Sequence, residues 1–239
     1  MFLNLKLIFN KKLTFLDKFI KMLMITRLNF LQFDFYVYRK AIMIKNIIFD
    51  MGNVIFNYDR DYLLRHFYNG EDFELLKERA FKNWELLDED AISLDEFYDN
   101  VKKELSPELS SYALSALKTW EYFMNYNREI ISLIQELKQK GYKLYILSNI
   151  TKHFVNVQYK FPILKEFDGV VFSSLIKHVK PNKEIYEYLL NKYKLNPNEC
   201  IFVDDTKKNL AGAARFGIKT FHFDSNTKDL RDFIFSFKV

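Results

Sequence analysis

The sequence of 239 residues predicts an α/β protein of three layers, a parallel sheet with helices on both faces, and an all-helical segment inserted after the first strand. Two observations predict this fold. Short apolar runs typical of buried strands alternate with helical stretches, and repetition of that kind favours parallel strands. In addition, more than ninety residues, about 51–142, separate the first strand from the second without a convincing strand among them.

Five short apolar runs are predicted to form the buried strands of the sheet. They lie at residues 45–50, 143–148, 169–172, 200–204 and 219–223. The helices between them have recognisable ends. Gly141 and Gly217 are typical of positions where a helix stops, and Pro181 suits a first helical turn.

The interval after the first strand is predicted to be a helical cap at residues 57–125, which divides the sheet core into residues 43–56 and 126–239. Ser93 and Glu96 have the spacing of a capping box at the start of one of its helices. A segment inserted there lies over the carboxyl ends of the strands, where α/β proteins bind ligands. The cap aromatics Trp84 and Trp120 are expected to be core residues.

The net charge of +5 comes from the first 42 residues. They hold 8 of the 36 Lys and Arg residues and 2 of the 31 Asp and Glu residues, which leaves 28 against 29, a net charge of −1, for residues 43–239. A nucleic-acid-binding domain needs a basic face of its own, so no nucleic-acid partner is expected.

Residues 1–42 contain no run that approaches the ~18–20 apolar residues of a transmembrane helix. We predict that this segment is a dispensable extension, or that the true start is Met43. The alternative is a basic amphipathic helix on a membrane surface. A membrane partner is expected only in that case. The single cysteine, Cys200, is predicted to be a core residue, and it indicates a reducing compartment, so a cytoplasmic location is expected.

Polar side chains stand at the ends of three predicted strands. They are Asp50, Ser148, Asn149, Asp204 and Asp205. Because adjacent parallel strands end at the same edge of a sheet, we expect these side chains to lie within several ångström of one another. Lys180, just before a helix start, can reach the same place. Taken singly, each residue has an ordinary explanation as a turn residue, a helix cap or a solvated charge.

The chemistry of such a cluster is specific. Three carboxylates in one place repel one another and raise their own pKa values unless a cation neutralises them. Carboxylate and backbone carbonyl oxygens are ligands that suit Mg²⁺, which also binds phosphate oxygens. An Asp can attack phosphorus to form an aspartyl-phosphate, while a metal and a lysine stabilise the charge of the transferring phosphoryl group.

Four short motifs occur in order on the expected elements: "FDMGNV", "ILSN", "VKPNKEIY" and "FVDDTKKNLAGAARFGI". Together they resemble the haloacid dehalogenase-like superfamily, in the branch with a helical cap after the first strand of a Rossmann-like core. The form is most similar to the sugar-phosphate phosphatases related to bacterial α-glucose-1-phosphatase and to the phosphatase domain of soluble epoxide hydrolases. The resemblance covers residues 43 to about 225.

The resemblance implies a Mg²⁺-dependent phosphatase acting on a small phosphorylated metabolite, with a sugar phosphate favoured. Asp50 would be the nucleophile, and Lys180 would neutralise charge between it and the phosphate. The implied phosphate-binding residues are Ser148, Asn149 and Lys180. The implied metal ligands are Asp50, the Gly52 backbone carbonyl, Asp204 and Asp205, and which of the last two binds directly is left open. Asn209 would support the loop after the fourth strand, and the oligomeric state is left open.

Position 52 departs from the pattern of these phosphatases, which usually carry there a second Asp that acts as general acid. Gly52 lets the turn present its backbone to the metal. However, no side chain at this position can deliver a proton to the leaving group, a contribution that typically raises the rate by ~10²–10⁴-fold. Either the leaving group needs little protonation, as in an anomeric sugar phosphate or an acyl phosphate, or the cap or water supplies the acid. The alternative functions are a metal-independent haloacid dehalogenase and a catalytically silent binding or regulatory module.

Overall fold

A five-stranded parallel sheet forms the centre of residues 43–237, the part of the chain that the computed structural model describes. Including a separate short pair, the strands are β1 (Asn46–Phe49), β2 (Phe56–Asn57), β3 (Asn125–Tyr126), β4 (Lys143–Ser148), β5 (Gly169–Phe172), β6 (Cys200–Asp204) and β7 (Lys219–His222). The order in the sheet is β5-β4-β1-β6-β7, and all four pairings are parallel. The predicted fold class and all five predicted strands of the sheet are confirmed.

The helices of the described residues are numbered along the chain. They are α1 (Arg60–Arg65), α2 (Phe73–Ala80), α3 (Trp84–Asp88), α4 (Leu94–Glu104), α5 (Pro107–Leu117), α6 (Arg128–Gln139), α7 (Lys152–Val157), α8 (Ser173–Ile176), α9 (Lys183–Tyr193), α10 (Lys207–Ala214) and α11 (Thr227–Phe235). Short 3₁₀ turns lie at Trp120–Phe123, Gln158–Lys160, Pro162–Glu166 and Pro197–Glu199.

The alternation of side chains along β1 builds two apolar layers. Ile47 and Phe49 belong to a cluster that includes residues of α6 and α11, whereas Ile48 belongs to a cluster with residues of α9 and α10. Successive side chains of a strand point to opposite faces, so an uninterrupted apolar strand needs helices on both sides. Cys200 is completely buried in the second cluster, as expected of a core residue.

Helices α1 to α5 follow β1 and pack on one another. They lie between β2 and β3, two-residue strands that pair antiparallel with Phe56 opposite Tyr126. This pair joins the two points where the chain leaves the sheet core for the helical segment and returns to it. It was not predicted because two residues are too few to show an alternating pattern. The Ser93–Glu96 capping box is confirmed, whereas the cap boundaries at 57–125 stay a prediction.

Two of the three predicted helix ends are correct. Gly141 and Gly217 follow the last turns of α6 and α10 with left-handed φ values of +83° and +84°. Pro181, in contrast, precedes α9, whose N-cap is Asn182. The prediction that Pro181 lies in the first helical turn is wrong, because a residue without an N–H suits the approach to a helix as well as its first turn.

No helix within residues 43–237 has the length and apolar character that a membrane crossing requires. The predictions about residues 1–42 lie outside the described residues.

Candidate active site

The polar strand ends predicted from the sequence lie together at the carboxyl edge of the sheet. Asp50 follows β1, while Ser148 ends β4 and Asp204 ends β6. β1 lies between β4 and β6, so Asp50 is flanked by both of the other strand ends.

The side chain of Lys180 lies between two carboxylates. Its Nζ is 2.8 Å from Asp50 Oδ1 and 2.7 Å from Asp204 Oδ2, and all three residues are buried. Burial lowers the pKa of Lys180, but the two carboxylates outweigh burial and hold that pKa above its ordinary value. The interpretation of Lys180 as a solvated charge is therefore wrong.

One carboxylate oxygen of Asp50 is held in place. Oδ1 accepts a hydrogen bond from the backbone N–H of Met51 at 2.7 Å as well as the contact with Lys180. Burial raises the pKa of Asp50 to about 6, the Lys180 charge opposes this shift, and the Asp204 charge adds to it. A divalent cation at this edge would favour the charged form of Asp50.

Asp204 is completely buried, and both of its oxygens accept hydrogen bonds. Nδ2 of Asn209 lies 3.1 Å from each oxygen, and the backbone N–H of Thr206 donates to Oδ1 at 2.8 Å. Asn209 is itself buried on α10. The N-cap of α10 is Thr206, so Asp204 does not cap that helix, and capping does not explain its position beside Lys180.

Three carboxylates come close enough to hold one cation. Asp50, Asp204 and Asp205 each offer an oxygen within 4.8 Å of the other two. Asp205 is fixed by Asn53 Nδ2, which donates to its Oδ2 at 3.1 Å. A set of carboxylate oxygens is what a hard divalent cation such as Mg²⁺ takes, so the residues present fit a metal.

The side chain of Asn149 holds the loop that carries Lys180. Asn149 Oδ1 accepts from the Lys180 backbone N–H at 2.7 Å, and Nδ2 donates to the Lys180 carbonyl at 3.0 Å. The Asn149 side chain is thus occupied at its oxygen and at one of its two N–H groups, and its backbone N–H is a further donor for a phosphate. Ser148 is buried, and its hydroxyl lies 3.5 Å from the Asn149 carbonyl, a weak contact that a ligand can replace. Neither residue caps a helix, because the N-cap of α7 is Thr151.

Gly52 borders open space beside Asp50. A Cβ atom built on Gly52 would meet no atom within 4 Å, and its φ lies outside the left-handed region. The turn therefore does not require glycine at this position. Because Gly52 has no side chain, the space beside Asp50 is open to a ligand.

A cavity of about 610 Å³ opens above Asp50. Residues at the carboxyl edge of the sheet form its floor, and residues of the inserted segment form the other side. The latter are Tyr58, Asp59, Arg60, Trp84, Asp88, Trp120 and Met124. Trp84 and Trp120 pack in the core as expected, but they also face this cavity.

The remaining cap residues of the cavity were not singled out from the sequence. Arg60 and Asp88 lie on short helices whose charged residues resemble those of any solvated helix face, so no spacing marks them. The one available signal was indirect, namely the missing acid at position 52 together with the expected place of the cap over the strand ends.

The model of the haloacid dehalogenase-like hydrolase family matches residues 47–223. This chain belongs to that family. The match spans the sheet and the inserted helices, so the resemblance inferred from the four motifs is confirmed.

Named members of the haloacid dehalogenase-like family are similar to this chain over most of their length. A D-ribitol-5-phosphate phosphatase of Bacteroides thetaiotaomicron is 30% identical over 196 residues, 75% of this chain and 91% of that protein. A sesquiterpene phosphatase of Aspergillus oryzae is 26% identical over 182 residues, 74% of this chain and 89% of that protein.

The fold is also that of a solved haloacid dehalogenase-family enzyme of Bacteroides thetaiotaomicron, in complex with magnesium and inorganic phosphate. It aligns with a TM-score of 0.58 and 24% identity, over 77% of this chain and 96% of that chain. At this identity the likeness shows that the two proteins share a fold.

Proposed function

We propose that this chain is a Mg²⁺-dependent phosphatase that hydrolyses a small phosphorylated metabolite, with a sugar phosphate favoured, through an aspartyl-phosphate on Asp50. One observation carries the proposal. Asp50 is a buried carboxylate at the floor of a cavity, and it shares Lys180 with the carboxylate of Asp204. Named phosphatases of the same family, similar to this chain over most of its length, support it.

The contacts of Asp50 assign different tasks to its two oxygens. Lys180 and the Met51 N–H both hold Oδ1, which leaves Oδ2 to attack phosphorus. A carboxylate fixed at one oxygen loses little orientational freedom on attack, and holding reactants in such geometry lowers the barrier. The Lys180 charge then stabilises the negative charge of the transferring phosphoryl group.

The phosphate contacts proposed for the ends of β4 are the Ser148 hydroxyl and the Asn149 backbone N–H. Both residues line the cavity that contains Asp50. The Asn149 side chain has a second task, since its two hydrogen bonds hold the Lys180 backbone in position. A change at Asn149 would therefore disturb phosphate binding and the placement of Lys180 together.

Asp50, Asp204 and Asp205 are the residues that would hold Mg²⁺, with the Gly52 carbonyl as a further proposed ligand. The bound cation would neutralise the carboxylates and draw charge from the phosphoryl oxygens. A metal-independent dehalogenase would gain nothing from this arrangement, because two further carboxylates beside the nucleophile would only repel its charge. The geometry thus favours the phosphatase over the dehalogenase alternative.

The cavity contains both polar and apolar groups for the organic part of the substrate. Arg60 and Asp88 offer charge, whereas Trp84, Trp120 and Met124 offer apolar surface. The two named relatives act on a polyol phosphate and on a sesquiterpene substrate. A sugar phosphate, which presents hydroxyls and an apolar ring face, fits the mixture.

The test is hydrolysis of 4-nitrophenyl phosphate by the full chain with Mg²⁺, with EDTA and after Asp50→Asn. We expect EDTA and Asp50→Asn each to lower the rate by at least about 10³-fold, because they remove the charge-stabilising cation and the nucleophile. The matched control is Asp232→Asn, a carboxylate exposed on α11, which should leave the rate unchanged. Full activity in EDTA would overturn the metal requirement, and full activity of Asp50→Asn would overturn the mechanism.

A further inference from the structure

We propose that Asp88, at the end of α3 in the inserted helical segment, is the general acid that protonates the leaving group, a task for which position 52 has no side chain. The inference rests on the proposed phosphatase function. It assigns the missing proton to a particular atom of this chain.

The surroundings of Asp88 are those of a ligand-binding side chain. Asp88 is half-buried and lines the same cavity as Asp50. Its Oδ1 atom is buried and has no hydrogen-bond partner within residues 43–237. The hydroxyl of Tyr58, on the same cavity wall, is likewise buried without a partner in that part of the chain. Two buried, unsatisfied polar atoms on residues that line one cavity are costly unless a polar ligand completes them.

Asp88 has a fixed position relative to the strand ends. The hydroxyl of Ser173, the first residue after β5, donates a hydrogen bond to the Asp88 carbonyl. The same hydroxyl accepts from the backbone N–H of Ile150, in the loop after β4. The inserted segment is thus bonded, at a residue that lines the cavity, to the loop that follows β4.

Other ionisable groups of the cavity wall are less suited to reversible proton transfer. Asp59 is exposed, and its Oδ1 caps α1 by accepting from two backbone N–H groups. Burial raises the pKa of Tyr58 far above its ordinary value, so its proton is not available near neutral pH. Asp205 belongs to the proposed metal set.

The protonation of Asp88 suits an acid that works near neutral pH. Burial raises the pKa of Asp88 to about 7, and the Asp50 charge adds to this shift. Arg60, Lys180 and the indole N–H of Trp84 oppose it. A general acid is most effective when its pKa lies near the working pH.

The proton balance closes over the two steps. In the first, Asp50 Oδ2 bonds to phosphorus, the bond to the leaving oxygen breaks with its electron pair, and that oxygen takes the Asp88 proton. In the second, water attacks phosphorus, the bond between phosphorus and Asp50 breaks, and the Asp88 carboxylate takes the proton that water releases. Asp50 is again a carboxylate and Asp88 is again protonated.

The experiment compares kcat/KM of the wild-type chain and Asp88→Asn on 4-nitrophenyl phosphate and on phenyl phosphate, with Mg²⁺. The two esters have nearly the same shape, but phenol, with a pKa of about 10 like that of tyrosine, is a much poorer leaving group. We expect Asp88→Asn to lower kcat/KM on phenyl phosphate by about 10²–10⁴-fold, the usual worth of a positioned acid. On 4-nitrophenyl phosphate the loss should be less than about tenfold, because that leaving group needs little protonation.

A second measurement on the unsubstituted chain covers the case in which Asp88→Asn does not fold. The kcat/KM on phenyl phosphate should fall as the pH rises through about 7, because the acid form of Asp88 is lost. The profile on 4-nitrophenyl phosphate should not show that fall. Identical profiles for the two esters would overturn the assignment.

Asp90→Asn is the matched control for the substitution. Asp90 lies two residues after Asp88 but pairs with Lys152 and Lys177, outside the cavity of Asp50. It should leave both kcat/KM values unchanged. An equal loss on both esters in Asp88→Asn would show a structural role and overturn the acid assignment alone. Absence of Asp50-dependent turnover of either ester would overturn the proposed function and this assignment with it.

Discussion

Lys180 is the residue whose placement most needs a functional explanation. Burying an ammonium group and two carboxylates carries a desolvation penalty of several kcal/mol per ion, which their mutual attraction offsets only with good geometry. Apolar residues of the same volume would stabilise the fold at least as well. The arrangement is understandable if charge is needed at this point, since Lys180 contacts Asp50 and, in the proposed mechanism, would stabilise the charge of a phosphoryl group.

Substituting Lys180 tests this explanation through stability. Lys180→Met should lower the free energy of unfolding by about 3–5 kcal/mol in EDTA, because it leaves two buried carboxylates without their positive partner. Mg²⁺ should restore part of the loss, since the cation binds the folded state and replaces the missing charge. Urea unfolding with EDTA and with Mg²⁺ measures both effects.

The control for that measurement is Lys208→Met, which removes a lysine exposed on α10. It should change the free energy of unfolding by no more than about 0.5 kcal/mol. If Lys180→Met were as stable as Lys208→Met in EDTA, the buried charge cluster would not have the energetics described above.

At the scale of elements, three strands, the loop before α9 and the helix α10 build the site. β1, β4 and β6 bring their carboxyl ends to one edge of the sheet, and the loop before α9 adds Lys180. The N-terminal part of α10 contributes Asn209, which spans both oxygens of Asp204. A carboxylate whose oxygens are held in this way presents its remaining lone pairs to a metal in one orientation.

The role of Asn209 as a positioning residue gives a prediction about metal affinity. Asn209→Ala should weaken Mg²⁺ binding by about 10–100-fold, because partners of metal ligands typically contribute that much. Titration calorimetry with MgCl₂ on the full chain measures the change. Lys207→Ala, an exposed residue of the same helix, is the control and should leave the affinity unchanged. An unchanged affinity in Asn209→Ala would show that this amide does not support the metal site.

The sequence predicts the elements of the sheet better than those of the inserted segment, and the reason is burial. β4 and β6 are buried along almost their whole length, so their apolar runs are unbroken and easy to identify. β2 and β3 have two residues each and α3 has five, which is too few to show an alternating or a repeating helical pattern. Such elements are stabilised by tertiary packing, and no local sequence pattern predicts them.

In the site, too, the residues at the sheet edge are easier to predict from the sequence than the residue of the inserted segment. Asp50, Lys180 and Asp204 each lie at or next to the end of a recognisable element, so the sequence indicates that they meet. Asp88 stands in the cavity because the inserted helices lie over the strand ends, a tertiary contact made through Ser173. Its part in the site becomes visible when its buried, unpartnered oxygen is seen beside the cavity.

At the scale of the whole molecule, the fold divides the work between the sheet and the inserted helices. In the proposed mechanism the sheet edge contributes the nucleophile, the charge of Lys180 and the metal ligands, which would act on the phosphoryl group common to all such substrates. The inserted segment contributes the cavity wall that faces the organic part. The predicted cytoplasmic location and the predicted cap boundaries stay predictions.

The central claim is that Asp50 becomes phosphorylated during turnover. The most direct measurement is rapid acid quenching of the wild-type chain mixed with 4-nitrophenyl phosphate and Mg²⁺, followed by peptide mass spectrometry. The account predicts a phosphoryl group on the peptide that contains Asp50, formed within the first turnover and absent in Asp50→Asn. Phosphate release that proceeds in Asp50→Asn at the wild-type rate, with no phosphorylated peptide in either protein, would contradict it.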